Sequence, residues 1–317
     1  MIQTPPSQTP MSQKPSENPG KGIAGPDAFR ISVIVLTFNS ELTIGNTLEL
    51  ARQVSDDLHV VDSYSTDKTL AIAASYGAQI VQHPFVHYGD QRNWAIQNLP
   101  IRHGWQLHLD ADELLSPQLI AEIEKLKQGP AVTVDGYYIP RLTRFLGRDL
   151  HHGGHYPIWH MRLFRTGKGR CESRKYDQHF VLEGRAQKIN ASMIDDNRMS
   201  LREWTDRHNR WSESELQEIL HPTHEGVIQA KLGGGSPMQT KRALRGLFLR
   251  VPLFARAFLF FFYRYVLRLG FLDGVPGLIY NVLQTFWYRF LIDAKLYEHS
   301  IAGKPDSSGA GDANRRE

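Results

Sequence analysis

The stretch "ISVIVLTFNSELTIGNTLELARQ", residues 31–53, decides the architecture. Its first seven residues are rich in β-branched side chains and suit a buried parallel strand. The residues after them have helical spacing: Ser40 is placed as a cap, and Leu42, Leu48 and Ala51 recur as the apolar positions. The same pair of signals then repeats. "LHVVD" (58–62) reads as a second strand, and "STDKTLAIAASYG" (65–77) as a helix capped by Ser65 or Thr66 and stopped by Gly77. "AQIVQ" (78–82) is a third strand, "GDQRNWAIQNL" (89–99) a third helix and "WQLHLD" (105–110) a fourth strand. Such alternation predicts an α/β fold with a parallel sheet covered on both faces and a ligand beyond the carboxyl ends of its strands.

Those ends carry Thr37 and Asn39 after the first strand, Asp62 and Asp67 around the second, and Asp110 and Asp112 after the fourth. In "WQLHLDADELLSP" (105–117) the apolar strand runs straight into Asp110, Asp112 and Glu113. Acids this close repel one another, which points to a cation the sequence does not supply. Neither a Gly-x-Gly-x-x-Gly fingerprint nor a Walker lysine loop is present, so this edge recognises its ligand with acids. Asp62 is suited to accept from a base N–H or a ribose hydroxyl. Asp110 and Asp112, two apart at a strand end, are placed to hold a magnesium-type ion together with substrate phosphate oxygens. Arg92, at the start of the third helix, offers a fixed fork for a diphosphate. Taken singly, Asp62 also reads as a turn cap, Asp67 as a first-turn helix acid, and the Asp110–Asp112 pair as a solvated approach to the helix "SPQLIAEIEKL".

"VIVLTFNSELTI", "VVDSYSTDKT", "GDQRNWAI" and "LHLDADE" resemble the successive motifs of family 2 glycosyltransferases, inverting enzymes that use nucleotide-diphosphate sugars. "GYYIPRLTRFLGRDLHHGGHYPIWHMRLFRTGKGR" is similar to the branch that builds lipopolysaccharide cores and exopolysaccharides. The similarity runs from about Ile31 to Tyr297 in the family's order. It implies the nucleotide-diphospho-sugar transferase fold of type A, Rossmann-like, with a mostly parallel central sheet. It further implies that Thr37, Asn39 and Asp62 contact the nucleoside, with Asp67 and Asp110 on the same donor site. Asp110 and Asp112 would form the metal-binding D-x-D for Mg2+ or Mn2+, and Arg92 would lie near the diphosphate.

Inversion needs a base that takes the acceptor hydroxyl's proton. "CESRKYDQHFVLEG" (171–184) offers Glu172, Asp177, His179 and Glu183, of which Asp177 is the assigned candidate. "HHGGHYPIWH" (151–160) gathers His151, His152, His155 and His160 without a His-Glu-x-x-His arrangement or cysteine partners, so sugar contacts or loop packing are expected rather than zinc. Processive members carry Gln-x-x-Arg-Trp after the base. Here "RHNRW" puts Arg207 where the glutamine should stand, and "QRNW" (91–94) precedes the acids, so one sugar per encounter is expected.

From Lys241 the chain becomes dense in Phe, Leu, Tyr and Arg, and Arg250, Arg256, Arg264 and Arg268 interrupt it too often for a spanning helix of about 20 apolar residues. On a helical wheel Arg256, Arg264 and Arg268 fall within about 120°, opposite Phe254, Phe258, Phe262, Tyr265 and Leu269. An arginine-bearing helix with an aromatic underside suits the headgroup boundary of an anionic membrane, with "LDGVPG" (272–277) as a turn into a second such helix; the alternative is a pair of helices packed on the preceding domain or in a dimer, arginines outward.

With 317 residues, 41% of them hydrophobic, the chain can build a large core. A single cysteine, Cys171, excludes an internal disulfide and fits a reducing compartment. The expected organisation is a disordered tail over 1–28, a catalytic domain over 29–235 divided near 115, amphipathic helices over 236–300 and a second tail over 301–317. The expected partners are a nucleotide-diphosphate sugar, a saccharide or lipid-linked saccharide acceptor and the cytoplasmic face of a bacterial inner membrane. A nucleotidyltransferase would need a glycine-rich basic loop where "TFNSEL" stands, and intact acids argue against a silent scaffold. The net charge of +4 accompanies aromatic segments rather than a nucleic-acid motif.

Overall fold

Parallel strands need crossover helices between them, and the first half of the chain supplies one after each strand. The computed structural model describes residues 29–129, 132–174, 176–223, 227–233 and 236–302; both expected tails fall outside these, except that 301 and 302 continue the last helix. The elements are β1 (Ile31–Thr37), α1 (Ile44–Ala51), β2 (Asp57–Asp62), α2 (Thr69–Ser75), β3 (Gln79–Gln82), α3 (Tyr88–Asn98), β4 (Trp105–Asp110), β5 (Glu113–Leu115) and α4 (Pro117–Gln128). They continue as β6 (Gly136–Phe145), β7 (Arg148–Asp149), β8 (Ile158–Arg165), β9 (Gly169–Cys171), β10 (Phe180–Leu182), β11 (Ala186–Lys188), β12 (Met193–Asp196) and α5 (Leu201–Leu220). Helices α6 (Pro237–Phe248), α7 (Ala255–Phe262), α8 (Gly274–Asn281) and α9 (Tyr288–Ala302) complete the chain. A π turn prolongs α7 to Leu267, and another joins α8 to α9.

The sheet runs β3-β2-β1-β4-β8-β6-β12-β5, with β7 and β11 also paired to β6. The pairs β3·β2, β2·β1 and β1·β4 are parallel, so the carboxyl ends of β1, β2 and β4 share one edge. β8 then enters antiparallel between β4 and β6, and β12 returns parallel to β6. β1 and β2 are buried along their whole length, and their inward residues form one core with α1, α4 and β6. Fully burying one such aliphatic side chain contributes about 1.5–3 kcal/mol.

The first helix begins later than Ser40. Ser40 instead accepts the amides of Thr43 and Ile44 on its carbonyl, while its own amide donates to Thr69 Oγ1 at 2.7 Å. Gly77 does stop α2, in the left-handed region at φ +71° where a side chain is disfavoured. α5 starts with a full capping box between Ser200 and Glu203.

The C-terminal helices dock on the sheet and α5 through Phe145, Leu150 and Trp204, against Tyr280, Leu283 and Trp287. The histidine loop closes the same junction. His152 Nδ1 lies 2.7 Å from Asp273, Gly153 donates to the Arg268 carbonyl, and His155 sits between Asn281 Oδ1 (3.1 Å) and Arg264 (2.7 Å). Burial, with Arg264 beside it, pulls His155 down to about 3, so it is neutral, accepting at Nδ1 and donating at Nε2. The histidines therefore pack a loop, and among the described residues no three His, Cys, Asp or Glu side chains are grouped to cage a metal.

Two of the three arginines of the arc turn inward, against the expectation, while Arg268 stays exposed. Arg256 is buried against Asp293 of α9, and Arg264 turns inward to His155 of the loop before β8, so each finds a buried polar partner on its inner side. Among the described residues no single helix is long and apolar enough to cross a membrane; the pair Ala255–Leu267 and Gly270–Ala302, bent by 70°, meets that test only together.

Candidate active site

At the shared strand edge, the loops after β1 and β2 are laced together. Asn39, at φ +45°, accepts the Thr66 amide on Oδ1 and donates its own amide to Ser65 Oγ, both at 2.8 Å. The Glu41 amide donates to Asp67 at 3.1 Å, and Asp67 also accepts the Thr69 amide at 2.9 Å. Asp62 has no exposed surface and accepts from Thr37 Oγ1 (2.9 Å), the Ser65 amide (2.8 Å), Gln82 Nε2 (3.0 Å) and the Ser65 hydroxyl. Burial pushes its carboxyl up, but these hydrogen bonds outweigh burial and hold it below the usual carboxylate range. Thr37, Asn39, Asp62 and Asp67 thus act together as the scaffold of both loops. The lacing leaves Phe38 (59% exposed) and Tyr64 (53% exposed, φ +62°) projecting from the edge. The available sequence signal was an aromatic in each loop, Phe38 between Thr37 and Asn39 and Tyr64 two residues after Asp62.

Asp110 ends β4 between two arginines. Arg92, buried on α3 with the Phe180 ring 5.4 Å from its guanidinium carbon, reaches Asp110 Oδ1 at 2.5 Å. Arg162, buried on β8, donates to Asp110 Oδ2 at 3.0 Å and to Glu113 Oε1 at 2.6 Å. Glu113 Oε2 accepts the Asp110 amide at 2.9 Å. Burial pushes Asp110 up, yet Arg92 and Arg162 prevail and bring it to about 2. It is a fixed anion. Arg162 was not anticipated; its signal was a charged residue in the middle of the strand pattern "IWHMRLFR", which marks an inward partner for a buried acid.

Asp112 is different. Among the described residues its carboxylate has no hydrogen bond or ion pair, while its backbone carbonyl is pinned by the Asp196 amide at 2.9 Å. Burial, then the charges of Asp195, Asp110 and Glu113, push it up to about 8, opposed by Arg207 from α5. Asp110 and Asp112 are thus brought to one corner, the first neutralised by protein and the second not. Their oxygens are hard donors, and an unneutralised carboxylate in an acidic corner fits a divalent cation. Arg207, whose Nε is buried without a partner among the described residues, adds a cation on the facing helix.

Of the base candidates, Glu172 is fully committed, taking both guanidinium nitrogens of Arg242 (2.6 Å each) and the amides of His179 and Ile228. Glu183 lies on the exposed turn after β10. Asp177, at φ +56°, accepts from Lys241 Nζ at 2.7 Å and lies 3.3 Å from His179 Nε2. Burial raises it, but Lys241 and His179 hold it well below the usual range. His160, kept neutral by burial and by Arg141 and Arg162, stands with its ring 6.0 Å from that of His179 and joins this cluster electrostatically to Arg162.

The sequence model of the family described as "Glycosyl transferase family 2" matches residues 32–191, half of the chain. An uncharacterized glycosyltransferase of Rickettsia bellii is 39% identical over 95 residues, 30% of this chain and 32% of that protein. The chain spans about a third of the length of the curated relatives it matches. Among solved structures, S. aureus TarS 1-349 is 14% identical, with 85% of this chain and 92% of that chain covered and a TM-score of 0.42. Glucosyl-3-phosphoglycerate synthase from Mycobacterium tuberculosis, in complex with Mg2+ and uridine-diphosphate, is 22% identical over 36% and 44% of the two chains, with a TM-score of 0.29. The match spans β1 to the end of the inter-strand segment after β11, the acidic corner included, and the chain, with its type A nucleotide-diphospho-sugar transferase fold, belongs to glycosyl transferase family 2.

Proposed function

We propose that the chain transfers a sugar, with inversion and one unit per encounter, from a nucleotide-diphosphate sugar to a saccharide acceptor. The observation that carries this reading is the unpaired Asp112 carboxylate beside the doubly clamped Asp110, at the strand edge where Phe38 and Tyr64 stand exposed. Base stacking on an exposed aromatic contributes about 1–3 kcal/mol, so Phe38 and Tyr64 suit the nucleoside. Asp110 and Asp112 would hold Mg2+ or Mn2+, completed by diphosphate oxygens and water. A divalent ion there supplies charge neutralisation for the departing diphosphate. Arg207 faces the same charge from α5. Asp177, ionised beside Lys241, is the assigned acceptor of the hydroxyl proton as the acceptor oxygen attacks the anomeric carbon and the carbon–diphosphate bond breaks. The resemblance of the histidine loop region to lipopolysaccharide-core and exopolysaccharide enzymes supports a lipid-linked acceptor at the inner face of a bacterial membrane.

A thermal-shift screen of UDP-, GDP- and ADP-sugars with Mn2+ tests this. One donor should raise the Tm by several degrees, as ligand at about 100 times its Kd adds about 2.7 kcal/mol. No shift with any donor, with or without metal, would refute the reading.

A further inference from the structure

The C-terminal hairpin is inverted in polarity. A helix on a globular surface hides its apolar face and shows its charges. Here Arg256 and Asp293 are almost fully buried against each other, and Asp273, Asn281 and Thr285 are buried with them. Between Pro252 and Leu283, Arg268 is the sole charged residue among the exposed ones. The exposed positions are instead apolar. They include Phe258, Phe262 and Leu267 on the first helix, Phe271 in the turn, and Val275 and Leu278 on the second, with Leu267 62% and Val275 68% exposed. Contiguous apolar surface of this extent on both helices and their turn is not left to water in a stable monomer. Polar residues turned inward to pair and apolar residues turned outward are the arrangement a lipid environment selects.

Charge identifies the occupant. Of the nine Lys and Arg in residues 236–302, six pair with carboxylates, and among the described residues Arg250, Arg264 and Arg268 are left without one. Exposed Arg250 and Arg268 flank α7 and its π turn. The stretch 255–267 is about 20 Å long, short of a hydrocarbon core of about 30 Å, so it lies in the boundary rather than crossing. We infer that the hairpin Pro252–Leu283 embeds its apolar face in the headgroup–acyl boundary of an anionic bilayer, with Arg250 and Arg268 on lipid phosphates. This goes beyond the transfer reaction and does not depend on it.

The test is flotation of the full chain with vesicles of phosphatidylethanolamine and phosphatidylglycerol, and separately of phosphatidylcholine alone. The chain should float with the anionic vesicles and at least tenfold less with the neutral ones at low salt. The triple variant Phe258→Ser, Phe262→Ser, Leu267→Ser should lose at least tenfold in binding while keeping its far-ultraviolet spectrum. A second variant guards against misfolding: at Leu267→Trp, brominated acyl chains should quench the added fluorescence. A wild-type chain that stays with the lipid-free fraction would overturn the inference. So would an unquenched Leu267→Trp, or a dimer in light scattering that the triple variant dissociates without any vesicle binding. None of these readouts requires a donor or transfer.

Discussion

Asp112→Asn separates the stability of the acidic corner from its use. Asp112 is pushed from an ordinary 3.8 up to about 8, by burial first and then by Asp195, Asp110 and Glu113. A carboxyl raised in the folded state binds a proton that the unfolded chain has already lost. Its contribution is therefore complete below about pH 4 and drains away as pH rises through about 8. With solvent reaching this half-buried side chain, the effect is on the order of 2 kcal/mol. Asparagine keeps the shape and removes the charge. In EDTA the variant should match wild type near pH 4.5 and melt higher by about 4–8 °C at pH 8.5, using about 2–4 °C per kcal/mol for a domain this size. Scanning fluorimetry at both pH values reads this directly. With Mn2+ the order should reverse, since wild type alone gains. Equal or lower stability of the variant at pH 8.5 without metal would refute the electrostatic reasoning.

Three further outcomes follow from the same geometry. Arg162→Leu leaves Asp110 and Glu113 side by side without their shared cation, and should cost about 3–5 kcal/mol by urea unfolding. Because Asp110 is lowered to about 2, the support it draws from Arg162 exists above about pH 4 and fails as pH falls toward 2, so the gap between wild type and variant should narrow over that range. Asp177→Asn should lower kcat by at least a hundredfold with donor affinity changed less than threefold, read by transfer kinetics and calorimetry. Asp293→Ala strands Arg256 inside the hairpin and should destabilise by about 3–5 kcal/mol, whereas Arg256→Met with Asp293→Leu should recover most of that loss.

Much of the fold was legible because its signals are local. Strand and helix periods alternate cleanly through Asp110, and Gly77 marks a helix end by a backbone rule that holds without tertiary context. The start of α1 was misplaced because Ser40 has a competing long-range partner in Thr69. The acids were visible as a cluster, but not their inequality: Asp110 and Asp112 differ through Arg92 and Arg162, which arrive from α3 and from β8, 52 residues downstream of Asp110. Arg162 hid in a strand whose alternation looks ordinary. Of the C-terminal arc, Arg268 is exposed as expected, while Arg256 and Arg264 are turned inward. A helical wheel gives two faces but not which one meets protein, and here Asp293 and His155 draw Arg256 and Arg264 inward.

The central claim is that Asp110 and Asp112 share a divalent ion with the diphosphate of the donor. Calorimetric titration of UDP and of GDP into the full chain, in Mn2+ and again in EDTA, tests it most directly. The account predicts that one nucleotide binds at least a hundredfold more tightly with Mn2+, and that Asp112→Asn abolishes this gain. Tight binding that is indifferent to both the metal and the substitution would contradict it.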